Sequence, residues 1–167
     1  GKHFIASYSN VTTPTRIGIF PVSGKKIRKD IVVADLKGPD YDPEKYALGQ
    51  LVYMTTDDGF RLPGMIVYPK GFDPAKKYPV HVDIYGGPDT PVVRDRWITP
   101  DENNQWWSDN GIIQIWVDPR AAGHNGRKGL DMIYRQLTVW EIKDFCAWAD
   151  WLMDKPYVID EKIGVEG

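Results

Sequence analysis

The chain has 167 residues with 21 Lys and Arg against 23 Asp and Glu, a formal charge of -2, and 42% of its residues are hydrophobic. This is enough for one domain with a sizeable core, or for one and a fraction, at an ordinary globular composition. No apolar run approaches the ~20 residues that cross a bilayer, no basic block offers a footprint for nucleic acid, and Cys146, the only cysteine, excludes intrachain disulfides and cysteine-based zinc sites.

The chain opens on Gly1-Lys2-His3 without a methionine, so the natural start is expected to have been removed, and the lack of a signal peptide carries little weight. Residues 1 to about 33 hold three short runs, Phe4 to Ser9, Arg16 to Phe20 and Ile27 to Val33, separated by Asn10 to Pro14 and by Ser23-Gly24-Lys25. That spacing predicts an antiparallel meander. Three short strands bury too little to stand alone, so the piece reads as the end of a preceding all-β domain. From Ala34 to Leu48 the segment Gly38-Pro39-Asp40-Tyr41-Asp42-Pro43 breaks any periodicity and marks a linker, placing a domain boundary between 48 and 49.

Beyond it, Gln50 to Thr56 and Phe60 to Tyr68 flank Asp57-Asp58-Gly59, a hairpin signal. A polar turn from Phe72 to Lys77 leads into Tyr78 to Pro88, where Val80, Val82 and Ile84 alternate as in a buried strand. That strand stops abruptly. Gly86 and Gly87 permit positive φ or close approach, and Pro88 ends the ladder. Tyr85 thus stands at a strand's carboxyl end, where open α/β sheets bind ligands and a phenol can donate a hydrogen bond.

Asp101 to Asn104 are suited to cap a helix running through Gln105-Trp106-Trp107 to near Asn110-Gly111. Ile112 to Val117 is nearly all apolar, the pattern of a strand buried on both faces and hence of a parallel central sheet. Asp118 to Lys128 is a glycine-punctuated loop expected at the same end as Tyr85. Thr138-Val139-Trp140-Glu141 has the form of a capping box with Leu137 as its staple. The helix that follows carries Phe145, Trp148, Ala149 and Leu152 on one side, Lys143, Asp150 and Asp154 on the other, and ends at Pro156. A right-handed crossover should then deliver Ile163 to Val165 beside the Ile112 strand. The fold class is α/β, a mixed sheet with flanking helices preceded by a small antiparallel β piece.

Single residues tempt chemical readings that simpler ones outweigh. His81 lies inside a strand opposite Val80 and Val82 and reads as a satisfied core or edge residue; His3 sits at the chain's start, and His124 lies in the loop nearest a site. Asp118 and Arg120 read as a buried ion pair or loop cap before any substrate contact. Asp57-Asp58 are turn carboxylates, Asp101-Glu102 and Glu141 are caps, and Glu166 is solvated or paired. No His, Cys or carboxylate group has metal-ligand spacing, and no cofactor is expected.

Taken in order, Tyr85-Gly86-Gly87-Pro88, the strand ending in Asp118-Pro119-Arg120, the helix from about Leu137, Pro156-Tyr157-Val158 and Ile163-Gly164-Val165-Glu166-Gly167 form a set. It resembles, over about residues 49 to 167, the catalytic domain of the prolyl oligopeptidase family of serine peptidases, most closely the dipeptidyl peptidase IV branch. The resemblance implies a partial α/β-hydrolase, with residues 1–48 as the end of a β-propeller and linker. For the latter the match rests on Gly1-Lys2-His3-Phe4 and on Tyr8-Ser9-Asn10-Val11-Thr12-Thr13-Pro14. It implies that Tyr85 donates to the tetrahedral oxyanion, that Gly86 and Gly87 keep the hole open, and that Gly167 is the first glycine of a Gly-x-Ser-x-Gly elbow. The serine would follow two residues beyond Gly167, with the catalytic aspartate and histidine after it, so neither His81 nor His124 takes that role.

Asp118 and Arg120 fall on the family's Asp-x-Arg-Gly segment, which looks structural. Ala121 stands where glycine is usual, so the loop must differ if that position needs positive φ. The implied reaction is serine attack on a peptide substrate through an acyl-enzyme, releasing a dipeptide from the N-terminus, often after proline. The chain holds none of the Ser, Asp and His of that triad and is expected to be inactive alone, as a dimer or swapped homo-oligomer. The residues leave compartment and peptide specificity open; the family suggests a periplasmic or exported enzyme. Two other classes remain: an α/β-hydrolase esterase, which usually places His-Gly-Gly-Gly at this strand, and a catalytically silent relative serving as a binding module.

Overall fold

A computed structural model describes residues 2–22, 31–39, 41–97 and 102–167. Strands β1 (His3–Asn10), β2 (Thr13–Pro21) and β3 (Ile31–Asp35) form an antiparallel sheet in that order, the expected meander. Thr12 N and Oγ1 both donate to Asn10 Oδ1, closing the β1–β2 turn, and Phe4 stacks on Phe20 with centroids 5.1 Å apart. The turn expected at Ser23-Gly24-Lys25 and the start of the Ile27 run lie outside the described residues. Ile5, Ile31 and Val33 remain exposed, because three strands have no second layer to cover them.

The second sheet holds the core. Its strands are β4 (Gly49–Thr55), β5 (Arg61–Val67), β6 (Tyr78–Asp83), β7 (Ile113–Val117) and β8 (Val158–Glu166), ordered β4-β5-β7-β6-β8. The pairs β4–β5 and β5–β7 are antiparallel, whereas β6 is parallel to both β7 and β8. The Asp58-Gly59 hairpin is wider than a two-residue turn. Thr55 pairs with Arg61, and Thr56 N donates to Phe60 O across a five-residue loop in which Gly59 takes φ +86°.

Among the described residues three α-helices accompany the sheet: α1 (Glu102–Asp109), α2 (Gly126–Met132) and α3 (Val139–Met153). Val80 and Val82 join Leu62, Ile66, Ile113, Ile115, Trp148, Leu152 and Val158 in one cluster beneath α3. The fit is close, since a Cβ on Gly64 would lie 2.9 Å from the Trp148 ring. His81 points to the opposite face, where Trp107 of α1 stacks on it at 4.3 Å. This alternation is the period of two read from the sequence.

Four expectations are corrected. Ile163 pairs with Val80 of β6 and not with the Ile112 strand, because β7 already has β5 and β6 on its two edges and only the outer edge of β6 is open. Part of the loop after β7 is helix α2, whose Gly129 packs directly on the Arg120 carbonyl oxygen. Thr138 does precede α3 but makes no capping bond; at φ 73° it is left-handed, outside the extended conformation from which an N-cap oxygen reaches back. Leu137 is exposed and staples nothing, and Glu141 is buried instead of reaching back to the cap. The capping role of Asp101 lies outside the described residues.

Candidate active site

Because β6 and β7 are parallel, the Tyr85 turn and the loop after Val117 leave the same end of the sheet. Ile84 N donates to Glu166 O at 2.9 Å, and Gly167 lies so tightly on Ile84 that any Cβ there would overlap its carbonyl oxygen. Residue 167 is thereby held one position away from Tyr85. The chain then turns through Gly86 at φ +78°, a conformation strained for any side chain. Gly87 serves differently. Its missing Cβ is the space occupied by the Tyr85 ring, so the phenol is held over a bare backbone. Tyr85 is 63% exposed, and among the described residues its hydroxyl takes no partner. A hydrogen-bond donor is thus presented at the strand end.

The loop after β7 is built on two fully buried charges that do not pair with each other. Asp118 Oδ1 accepts from Val92 N at 3.0 Å, and its Oδ2 accepts from Val93 N and faces His124 Nε2, both at 2.9 Å. Arg120 donates from its main-chain N to Asp144 Oδ2 at 2.8 Å and from Nη2 to Asp144 Oδ1 at 2.7 Å, while Nη1 reaches Asp58 Oδ2 at 2.6 Å. Phe60 and Trp140 each lie 4.4 Å from the guanidinium carbon, sandwiching it. Burial works against the Arg120 charge, yet the hydrogen bonds to Asp144 and Asp58 outweigh it and raise its pKa. Its bond to Asp58, seconded by Thr56, lowers that carboxyl to about 2.

Asp144 and Asp58 were missed as partners of Arg120. The available signal was Asp144 itself, a charge on the same helical stripe as Trp148 and Leu152. Asp58 shows in the sequence only as a turn residue. Ala121 is fully buried without positive φ; the loop takes that conformation at Gly123, φ +116°, whose missing Cβ faces Asp89 Oδ1 at 2.9 Å. The loop therefore accommodates alanine at 121 unstrained.

His81 Nε2 lies 3.0 Å from Glu166 Oε2, at the edge of a cavity of about 480 Å³ shared with Asp83, Trp107, Gln114 and Trp116. Burial pushes the Asp83 carboxyl up against the opposing hydrogen bond from Trp116. His3 lies at the exposed start of β1. Among the described residues no group of three His, Cys, Asp or Glu could hold a metal ion, and no helix is long and apolar enough to cross a membrane.

A mixed five-stranded sheet with helices on both faces, carrying a Tyr-Gly-Gly turn at the end of a parallel strand, is a partial α/β-hydrolase domain. The description of the Prolyl oligopeptidase family matches residues 99–167. A protein of Ajellomyces dermatitidis named "Probable dipeptidyl-aminopeptidase B" is 38% identical over 123 residues, which are 73% of this chain and 13% of that protein. The crystal structure of Porphyromonas gingivalis dipeptidyl peptidase 4 superposes with a TM-score of 0.79 at 28% identity, covering 98% of this chain and 23% of that one. A Bacteroides ovatus structure does so with a TM-score of 0.82, also at 28% identity, over 99% of this chain and 23% of the other. Over residues 99–167 the chain is thus similar to the prolyl oligopeptidase family, and the relatives and solved structures it resembles are dipeptidyl peptidases. It spans about an eighth of the length of the curated relatives it matches.

Proposed function

We propose that the parent protein is a serine-type dipeptidyl peptidase. Residues 1–48 are the end of its propeller and linker, and 49–167 the N-terminal half of its catalytic domain. A serine carried by the residues that follow β8 attacks the peptide carbonyl. Its proton passes to a histidine, and the carbonyl oxygen becomes an oxyanion that accepts from the Tyr85 hydroxyl. Collapse of that intermediate expels the amine, which takes the proton back from the histidine, and leaves an acyl-enzyme that water hydrolyses to release the dipeptide and free the serine. Gly86 and Gly87 keep the phenol at its post.

The observation that supports this reading is the contact of Gly167 with Ile84, which sets Gly167 near an exposed phenol that takes no partner among the described residues. Asp118 and Arg120 are assigned to the architecture, since both are fully buried. Tyr85→Phe in the full-length parent should lower kcat on a Gly-Pro chromogenic amide by about 10²-fold or more, with little change in KM. An unchanged kcat would overturn the role. The 167-residue chain by itself should give no turnover. Among the described residues β8 pairs with β6 alone and exposes Val165, so we assign the isolated chain a homodimer through that edge, to be checked by light scattering.

A further inference from the structure

Tyr85 is mounted on a glycine pair, and its ring is mostly exposed, so its position depends on where the backbone beyond Pro88 is fixed. Residues 89–97 contain no helix or strand, and their amides must find partners elsewhere. The loop after β7 supplies them. Asp89 N donates to Ala121 O at 2.9 Å, Val92 N to Asp118 Oδ1 and Val93 N to Asp118 Oδ2, with the Val93 side chain fully buried at the anchor. At its far end the same segment is tied to the three-stranded sheet: Trp97 N donates to Ser9 Oγ, and Val11 N donates to Asp95 Oδ1, each at 3.1 Å. The Trp97 ring meets Tyr41 edge-on at 5.4 Å.

Asp118 is itself anchored on both sides. Its N–H bonds Pro63 O of β5, and two residues on Arg120 is held by Asp144 and Asp58. Both of its carboxylate oxygens are committed and the side chain has no exposure, so it cannot touch substrate.

We propose that Asp118 is a positioning residue for Tyr85, acting through a strap of residues 89–93 whose amides it clamps. The inference rests on the oxyanion role of Tyr85. Asp118 fixes the phenol at the distance the transition state requires, and a displacement of about 1 Å at such a donor can cost as much as 10²-fold in rate. Asparagine at 118 has one acceptor oxygen for two amides, so one clamp is lost.

The test is a double-mutant cycle in the full-length parent. Asp118→Asn should lower kcat about tenfold with KM within about twofold, and should cost nothing further in a Tyr85→Phe background. An equal loss in both backgrounds, or none in either, overturns the positioning role while leaving Tyr85 as the donor. If Tyr85→Phe alone is without effect, the oxyanion reading falls and this one with it. Should Asp118→Asn not fold, His124→Ala removes the third group on the carboxylate from a side chain that is one-third exposed. It should lower kcat about threefold in the Tyr85 background only; equal losses in both backgrounds again refute the proposal.

Discussion

Asp144→Ala isolates the interaction on which the loop after β7 depends. Both Arg120 and Asp144 are fully buried, and the carboxylate accepts from the main-chain N, Nε and Nη2 of Arg120. Truncating one partner of a buried pair leaves the other charge desolvated, at about 3–5 kcal/mol. Asp58 remains on the far side of the guanidinium, and Phe60 and Trp140 still cover its faces, so the lower end applies. The expected loss is about 3 kcal/mol, or roughly 6–12 °C in Tm for a domain of this size. Urea unfolding followed by tryptophan fluorescence reads it directly, since Trp140 lies on the perturbed group; the midpoint should fall at an unchanged slope. The double change Arg120→Met with Asp144→Leu should recover part of the loss, because it removes both fully buried charges and strands only the part-exposed Asp58. A loss below about 1 kcal/mol for Asp144→Ala, or a double variant no more stable than the single, would refute the assignment of that energy to a stranded charge.

Asp58, whose bonds to Arg120 and Thr56 hold its carboxyl at about 2 in the folded state, should make stability pH-dependent. The folded pKa lies below the unfolded value of ~3.9. The contribution is therefore complete above that value and is lost as pH falls toward 2. Asp58→Asn should flatten the acid limb of a stability–pH curve, and an unaltered limb would contradict the pairing. At Thr138, a β-branched residue at φ 73° with no capping bond, glycine should relieve strain and raise stability by about 1 kcal/mol; a lower urea midpoint for Thr138→Gly would refute it.

Local pattern was sufficient for the strands of the second sheet, for α3 and for the strand-end turn, though not for α2. The alternation from Tyr78 to Ile84 set that strand's buried face, the apolar run of β7 announced a strand covered on both sides, and Gly86-Gly87-Pro88 marked its neighbour's stop. These depend on side-chain period and backbone φ, which neighbouring residues dictate. The ordered motifs also carried the family, which the solved relatives bear out.

The tertiary structure decided whatever depends on residues far apart in the chain. β8 joined β6 because the edges of β7 were taken, a matter of available hydrogen-bonding edge that no local segment encodes. Thr138 had the letters of a capping box, but its φ is positive and Glu141 is buried, neither of which the local letters encode. Arg120 found Asp58 and Asp144 across 62 and 24 residues, and Asp118 found the amides of Val92 and Val93 across about 25, so the clamp on the strap behind Tyr85 is long-range. A buried charge must be neutralised wherever the folded chain brings a partner, and only the fold says which partner that is.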